Sequence, residues 1–362
     1  MDANYKLVDF QTCFRYSVAA KRSFLCICQV GDKKPEDIIK MTIENDYSCG
    51  QKAASCTVVS KISDLQTSYE EKDLSAESDD DKIVISIIPN MNTLPSSDQL
   101  NLVRIMNAIK VSNEKNPKAQ THVIIGIITW DKATYRREEK GSRRAILGKD
   151  LAILQPCIKL DDWLKHKFWL ACSEPKVSTH GKTVPVCSNS SQDTASISPG
   201  SSIDSGTESS GSAGTIQLLH EVHSSYSDVY LQPVVRKYIL DIIVHIRMHR
   251  LSYRAKGGGA HMDSLKDVIQ LSKLISINGG KKYIIPRYIK QAAAWYFPMH
   301  LNLINKPERD NSILYGSKIR LVNELLDKII KVKSYEVEEL ENPLFLESLV
   351  VQDVLKKVIP PV

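Results

Sequence analysis

Three short runs of almost continuous apolar residues most constrain the fold of this 362-residue chain. They are Ser23–Val30, Lys82–Ile88 and His122–Thr129, and amphipathic helical patterns at Asp9–Lys21 and Ser97–Ser112 precede or separate them. A strand that is apolar on both sides must be covered on both faces, as the strands of parallel sheets are. The sequence therefore predicts an α/β domain whose parallel sheet lies between two layers of helices.

Composition adds only broad limits. The chain is 42% hydrophobic and 25% charged, with a net charge of +6, so we expect most of it to fold and its surface to be mildly basic. A mildly basic surface permits contact with nucleic acid without requiring it. The eight cysteines are scattered, and Met1–Asn4 shows no basic, apolar signal pattern, so we expect reduced thiols in a nuclear or cytoplasmic protein. The longest apolar runs are too short to cross a bilayer, and we expect no membrane contact.

The pattern along the chain predicts four segments. Residues 1–172 form the α/β domain, and residues 173–226 form a linker that we expect to be disordered, because 188–214 holds eleven serines and almost no large apolar residue. Residues 227–306 form a helical domain, and 307–362 form a C-terminal helical extension.

In the helical domain, the sequence indicates where individual helices begin and end. Val234–Leu251 carries apolar doublets at a spacing of four residues, which is typical of one buried helical face. A second helix is predicted over Met262–Ser276, with Gly279 and Gly280 at its C-terminus. Pro286 is predicted to open a third helix, which we expect to end at Tyr296.

Two sequence segments of this region resemble the lid of MoxR-like ATPases and of the magnesium chelatase ATPase subunit. They are RKYILDIIVHIRMHR and GGKKYIIPRYIKQAAAWYFPMHL, and the matching residues are Arg236, Tyr238, Ile239, Leu240, Asp241, Arg247, His249, Arg250, Gly280, Tyr283, Pro286, Ile289 and His300. The resemblance implies an AAA+-like fold: an α/β domain with a parallel sheet, followed by a helical lid-like domain.

The chain from Asp9 to its last residue also resembles the fungal maintenance of telomere capping protein 2 family. The segments that carry this resemblance include DFQTCFRYSVAAKRSFLC, WLKHKFWLAC and ENPLFLESLVV. It implies a role connected with telomere capping, and it implies no known chemistry.

The residues that an AAA+ ATPase needs for nucleotide chemistry are not found at the expected places. A phosphate-binding loop needs a glycine-rich turn that ends in Gly-Lys-Ser/Thr. After the first strand this chain instead has Gly31, Asp32, Lys33 and Lys34. At the Walker-B position, where acids should hold Mg²⁺ and activate water, it has Pro89 and Asn90. We therefore expect no nucleotide cofactor and no catalytic residues.

Three further positions of the ATPase family also differ. Thr129–Asp131 lacks the asparagine of the family's polar sensor, and Lys165–Phe168 replaces an "L-D-R-F" element whose arginine serves a neighbouring subunit. The arginine of the lid would fall near His261–Asp263. The sequence thus predicts a non-catalytic AAA+-like scaffold or interaction protein. The alternatives are a weak or regulatory nucleotide-binding protein and a nucleic-acid-binding accessory factor.

Two surface segments are candidate contact sites. One is the basic group Arg136, Arg137, Arg143 and Arg144, which could contact a nucleic-acid backbone or form a solvated loop. The other is the apolar group Leu344, Phe345, Leu346 and Leu349, which could dock on a protein partner or pack against its own domain. The sequence does not identify the partner, and we expect a monomer or a small complex.

No metal site is predicted. His245 and His249 have the spacing of a metalloprotease helix, but Ile246 stands where that motif has its glutamate. Cys26 and Cys28 lie on one face of a strand without a second ligand pair of matching spacing, so we interpret them as small core residues.

Overall fold

The computed structural model describes residues 5–31, 34–47, 55–65, 83–115, 121–136, 150–175 and 228–361. Within these ranges the α/β part contains five strands, the five helices named below, a helical turn at 62–65 and two short 3-10 helices. The strands are β1 (Phe24–Gln29), β2 (Ser55–Val58), β3 (Ile83–Ile88), β4 (Thr121–Trp130) and β5 (Ala171–Ser173). The helices are α1 (Phe10–Ala19), α2 (Pro35–Tyr47), α3 (Ser96–Lys115) and two single turns, α4 (Asp150–Ile153) and α5 (Asp162–Lys165).

The five strands form one sheet in the order β2-β3-β4-β1-β5, and every described pairing is parallel. β1 lies between β4 and β5, with Cys26 opposite Ile127 on one side and Cys172 on the other. The three apolar runs of the sequence are β1, β3 and β4, and all six residues of β3 are buried. The predicted parallel sheet is therefore confirmed.

The second part of the chain is helical. It comprises α6 (Pro233–Met248), α7 (Ser264–Asn278), α8 (Pro286–His300), α9 (Ile319–Leu340) and α10 (Phe345–Lys357). α7 ends as expected, because Gly280 adopts a positive φ of 67° and its amide bonds the carbonyl of Ile277. α8 is longer than predicted: it continues past Tyr296 and through Pro298 to His300.

These helices cover both faces of the sheet. On one face, Cys26, Ile85 and Ile125 share a core with α1, α6, α7, α8 and α10. On the other face, Leu25 and Ile124 share a core with α3 and α9. A parallel sheet between helical layers, followed by a helical region, is the AAA+-like α/β fold that the resemblance implies.

The C-terminal apolar group does not form an exposed docking surface in this conformation. Leu344, Phe345 and Leu346 are each less than 5% exposed, and Leu349 is partly buried against the same core. The ring of Phe345 lies 5.5 Å from that of Tyr5. These side chains pack against their own protein, which is the second of the two interpretations that the sequence left open.

Most of the predicted linker, residues 176–226, lies outside the described residues. The extension after 306 is helical, and it packs on the α/β domain through α9 and α10. Among the described residues, no helix is both long and apolar enough to span a bilayer.

Candidate functional site: the carboxyl edge of the sheet and the histidine junction

The carboxyl ends of β1, β3 and β4 meet at one edge of the sheet, where α/β proteins bind their ligands. The residues that follow these strands would therefore form a nucleotide site. Val30 follows β1 and donates its amide to the carbonyl of Trp130 at 2.9 Å, which holds the ends of β1 and β4 together. This edge is called the carboxyl edge below.

The turn after β1 lacks the features of a phosphate cradle in its described residues. Gly31 is not among the positive-φ glycines, and a Cβ placed on it would meet nothing nearer than the Gln29 carbonyl oxygen at 4.0 Å. Lys34 is exposed, while Asp32 and Lys33 lie outside the described residues. α2 then begins at Pro35 with Glu36 and Asp37 in its first turn, so carboxylates occupy the helix end that would otherwise favour an anion.

Further carboxylates lie at the same edge. Glu174 follows β5, and its pKa is raised by partial burial, by Cys26 and by the nearby charge of Glu341. Glu341 lies 3.7 Å from the ammonium group of Lys132. The pKa of the Cys28 thiol is raised by its hydrogen bond with Cys26 and by burial, with smaller effects from Glu174 and Glu36. The carboxyl edge therefore has an acidic character that disfavours a polyphosphate.

At the Walker-B position, the residues set the backbone conformation that follows β3. Asn90 adopts the left-handed conformation (φ 51°, ψ 43°) and starts a short 3-10 helix over Met91–Thr93. Its carbonyl accepts a hydrogen bond from the Thr93 hydroxyl at 2.8 Å. Neither Pro89 nor Asn90 offers a carboxylate for Mg²⁺. After β4, Asp131 accepts the amide of Ala133 at 2.9 Å and so caps the next turn.

The segment after Asn90 braces a distant part of the chain. The Asn92 amide nitrogen donates to the Cys157 carbonyl at 3.0 Å, and its oxygen accepts the Lys159 amide at 2.8 Å. Gln99 similarly accepts the Asp161 amide at 3.0 Å. These polar side chains are thus bound within the protein, where they position the approach to α5.

The element that replaces "L-D-R-F" turns inward. Lys165 is the last residue of α5 and is 4% exposed. Its ammonium group donates to the Asn302 side chain at 2.7 Å and lies 3.5 Å from the Asp162 carboxylate. Asn302 in turn donates to Asp162 at 3.1 Å. The Lys165 ammonium group therefore joins the α/β domain to Asn302, which follows α8. It turns into its own protein and does not extend outward.

Beside this contact, three histidines from distant parts of the chain meet. His166 directly follows α5, His261 precedes α7, and His300 is the last residue of α8. One ring nitrogen from each histidine lies within 4.8 Å of those of the other two. The Nδ1 atoms of His166 and His300 are 3.3 Å apart. We call this group, His166 with His261 and His300, the histidine junction.

A buried polar chain supports the junction. His261 Nε2 lies 2.7 Å from the Tyr296 hydroxyl, which donates to the Asp267 carboxylate at 3.1 Å. Arg22 donates to the other oxygen of Asp267 at 2.6 Å. Burial lowers the pKa of His300 well below its usual range and also lowers that of His261. Burial raises the pKa of Asp267, against the opposing effect of Arg22.

The sequence did not predict this junction. Its members are separated by 95 and 39 positions, so no local spacing connects them. The pair that did have a motif-like spacing diverges: His245 Nδ1 bonds the Asp241 carbonyl at 2.7 Å, whereas His249 Nε2 lies 3.2 Å from Asp353. Cys26 and Cys28 are buried with their sulfurs 3.6 Å apart, which agrees with their interpretation as core residues.

Of the predicted basic group, only Arg136 is among the described residues. Arg136 is exposed, and its guanidinium lies 3.3 Å from the Glu338 carboxylate on α9. Arg137, Arg143 and Arg144 lie outside the described residues. Contact with nucleic acid at this group stays a prediction.

The parallel five-stranded sheet, its flanking helices and the C-terminal helical region fit an α/β AAA+-like fold. Residues 8–173 match the family model for the N-terminal domain of maintenance of telomere capping protein 2. Proteins of that name are 38% identical in Saccharomyces cerevisiae (strain RM11-1a) and 35% identical in Zygosaccharomyces rouxii, with 99% of both chains covered in each case. The chain therefore belongs to the maintenance of telomere capping protein 2 family.

A third relative and one solved structure are also similar to this chain. The Vanderwaltozyma polyspora protein of the same name is 32% identical over the whole of both chains. A crystal structure from Cytophaga hutchinsonii, of a protein assigned to the ATPases only provisionally, aligns with 90% of this chain at 10% identity and a TM-score of 0.44. A likeness this weak does not establish a relationship.

Proposed function

We propose that this protein is a non-catalytic AAA+-like scaffold that acts in telomere capping in the nucleus. The family name supports the telomere-related role and the nuclear location. The observation that carries the non-catalytic part is the carboxyl edge, where Glu36, Glu174 and Glu341 gather and where Asn90 replaces the Walker-B acids.

Electrostatics and geometry both support this proposal. A nucleoside triphosphate brings several negative charges, and its binding normally relies on backbone amides and a helix N-terminus that carries no competing carboxylate. Here α2 presents Glu36 and Asp37 at that terminus. Mg²⁺ would need carboxylates beside the reacting phosphate, and the residues that follow β3 offer an amide side chain and a proline. The AAA+-like frame would then serve as a rigid support for other proteins.

The inward contact of Lys165 supports a monomer or small complex. In a ring of ATPase subunits, a cation at this element reaches the nucleotide of a neighbour. Lys165 is instead buried and paired with Asp162 and Asn302 of its own chain. A flexible lysine also lacks the planar fork with which arginine holds a phosphate.

A nucleotide titration tests the proposal directly. We expect the full chain to show neither calorimetric heat nor a shift in melting temperature with millimolar MgATP. The double variant Lys33→Ala/Lys34→Ala should behave identically, and Lys40→Ala, a partly exposed lysine on α2, is the matched control. Micromolar MgATP binding that only the double variant abolishes would overturn the non-catalytic proposal.

A cellular test addresses the telomere role separately. In a Saccharomyces cerevisiae strain that lacks its own relative, we expect this chain and its Lys33→Ala/Lys34→Ala variant to restore telomere capping equally. Loss of rescue in the double variant alone would favour the regulatory nucleotide-binding alternative. Failure of both proteins, at normal expression and with rescue by the strain's own protein, would contradict the proposed role for this chain.

A further inference from the structure

We propose that the histidine junction is a binding site for a divalent transition-metal ion of the zinc class, held by His166, His261 and His300. Such an ion would connect the α/β domain, through His166, to the helical domain, through His261 and His300. The proposal is independent of nucleotide binding and of the telomere role, since it rests on the geometry of the three rings and their neighbours.

The separation of the ring nitrogens fits this class of ion. Zn²⁺ binds imidazole nitrogen at about 2.0–2.1 Å in a tetrahedral arrangement, so two ligating nitrogens lie about 3.4 Å apart. The Nδ1 atoms of His166 and His300 are 3.3 Å apart. The third ligand atom, from His261, lies within 4.8 Å of both. The half-buried rings of His166 and His261 are stacked, with centroids 4.3 Å apart and planes inclined by 28°, so one ring must turn for both nitrogens to face the same ion.

The neighbours of the rings resemble the outer partners of metal-bound histidines. A ligating histidine usually holds its second nitrogen against a carbonyl, a carboxylate or a hydroxyl group, which fixes the tautomer and the ring orientation. His300 Nε2 lies 3.4 Å from the Trp169 carbonyl, on the opposite side of the ring from the Nδ1 that faces His166. His261 is held by the Tyr296 hydroxyl, which connects it to the carboxylate of Asp267.

The charges around the site are mixed. Asp263 and Asp267 act on His261 as negative charges, whereas Arg22, Lys165 and Lys167 are positive neighbours of the junction. Two of these cations are already paired: Arg22 binds Asp267, and Lys165 binds Asp162. Imidazole is a good ligand for zinc, copper, nickel and iron ions, and the absence of a carboxylate among the three ligands disfavours Mg²⁺ and Ca²⁺.

A metal titration of the full-length protein tests the site. After treatment with a chelator, the protein should bind one equivalent of Zn²⁺ in competition with a chromophoric indicator, and Zn²⁺ should raise its melting temperature. His166→Gln and His261→Gln should each lower the affinity by more than the roughly 10- to 100-fold that loss of an outer partner costs. His245→Gln, an exposed histidine on α6, is the matched control and should bind as the unaltered protein does.

A second variant and a second probe separate this site from purely structural packing and from the buried thiols. Tyr296→Phe should weaken Zn²⁺ binding by about 10- to 100-fold, whereas Tyr283→Phe, which is exposed, should not. Co²⁺ should give visible bands of tetrahedral nitrogen ligation. Circular dichroism must show that each variant is folded. Failure of the folded protein to bind Zn²⁺, unchanged affinity in both histidine variants, or a strong near-ultraviolet thiolate band with Co²⁺ would each overturn the proposal.

Discussion

The carboxyl edge and the histidine junction differ in how far their polar side chains are buried and paired. At the carboxyl edge, acids such as Glu174 lie where phosphate chemistry would need amides and cations, and their charges are only partly compensated. Beside the junction, Lys165 and Asp267 are buried, and both are bound to partners from other elements. The comparison indicates that the edge is a partly compensated acidic surface, whereas the contacts around the junction hold the two parts of the protein together.

The strongest test of this contrast is Gly259→Ala, beside the junction. Gly259 has φ +88°, and a Cβ there would lie 2.1 Å from the His300 carbonyl oxygen and 2.6 Å from the Leu301 Cα. Both contacts are with backbone, so the end of α8 would have to move. We expect a loss of at least about 3 kcal/mol in the free energy of unfolding, measured by urea denaturation.

The control for this substitution lies two residues away. Gly257 also has a positive φ, of 66°, but a Cβ there would meet nothing within 4 Å. Gly257→Ala should therefore cost only the backbone strain, about 1–2 kcal/mol. Equal effects of the two substitutions would show that the junction does not depend on the close approach at Gly259.

A somewhat smaller effect is expected from Arg22→Ala, which removes the cation from the buried polar chain. The Asp267 carboxylate is then left with the Tyr296 hydroxyl in a site where its side chain is 5% exposed. We expect a loss of about 2–3 kcal/mol, near the lower limit for breaking a buried pair, because Arg22 itself is 18% exposed. Thermal and urea unfolding measure it.

The matched control is Arg320→Ala on α9. Arg320 and Glu324 form an ion pair of 3.1 Å, but the arginine side chain is 87% exposed. Exposed pairs of this kind contribute below about 0.5 kcal/mol. If both arginine variants lost the same stability, the polar chain at the junction would not be a structural contact of the kind described.

Asn92→Ala tests the brace between the carboxyl edge and α5. It removes two hydrogen bonds, to the Cys157 carbonyl and from the Lys159 amide, and leaves both backbone groups without this partner. The expected loss is about 1–2 kcal/mol in urea unfolding. Thr93→Ala, whose hydroxyl makes one exposed bond to Asn90, should cost less. A larger loss in the threonine variant would contradict the assignment of Asn92 as the brace.

The sequence predicted the sheet well because burial on both faces leaves a strong local signal. β3 and β4 are apolar at nearly every position, so their type and place were evident. α2 was missed because only a few apolar residues, such as Ile39 and Ile43, occur among many polar ones. The sequence could not decide between docking and internal packing for Leu344–Leu346, because an apolar sequence does not reveal which surface covers it.

The histidine junction could not be predicted for a different reason. Its formation depends on tertiary contacts between α5, α7 and α8, and on the length of α8. Proline usually ends a helix, so the sequence indicated an end at Tyr296. The helix instead passes through Pro298 and places His300 against His166. The residues predicted for a degenerate nucleotide site remain predictions, to be tested by the titration proposed above.

The smallest expected effect lies at the carboxyl edge, in Glu174→Gln. Partial burial raises the pKa of Glu174, so the folded protein binds its proton more tightly than the unfolded chain does. The stability contributed by this proton is fully present below the unfolded pKa of about 4.3 and is lost as pH rises through the folded pKa. The glutamine variant should therefore be slightly more stable than the original protein at pH 7, and this advantage should shrink as the pH falls towards about 4.

Asp353→Asn provides the control of opposite sign. The hydrogen bond from Lys357 lowers the pKa of Asp353, so its carboxylate stabilises the folded state above the unfolded pKa of about 3.9, and this stability is lost as pH falls through the folded pKa. The asparagine variant should be less stable than the original protein at pH 7, and the deficit should shrink on acidification. Urea unfolding of both variants between pH 7 and about pH 2 measures the two trends, because the window for Asp353 lies below its unfolded pKa. A destabilised Glu174→Gln protein at pH 7 would show that this acid is a structural partner at the carboxyl edge, and the contrast with the junction would then fail.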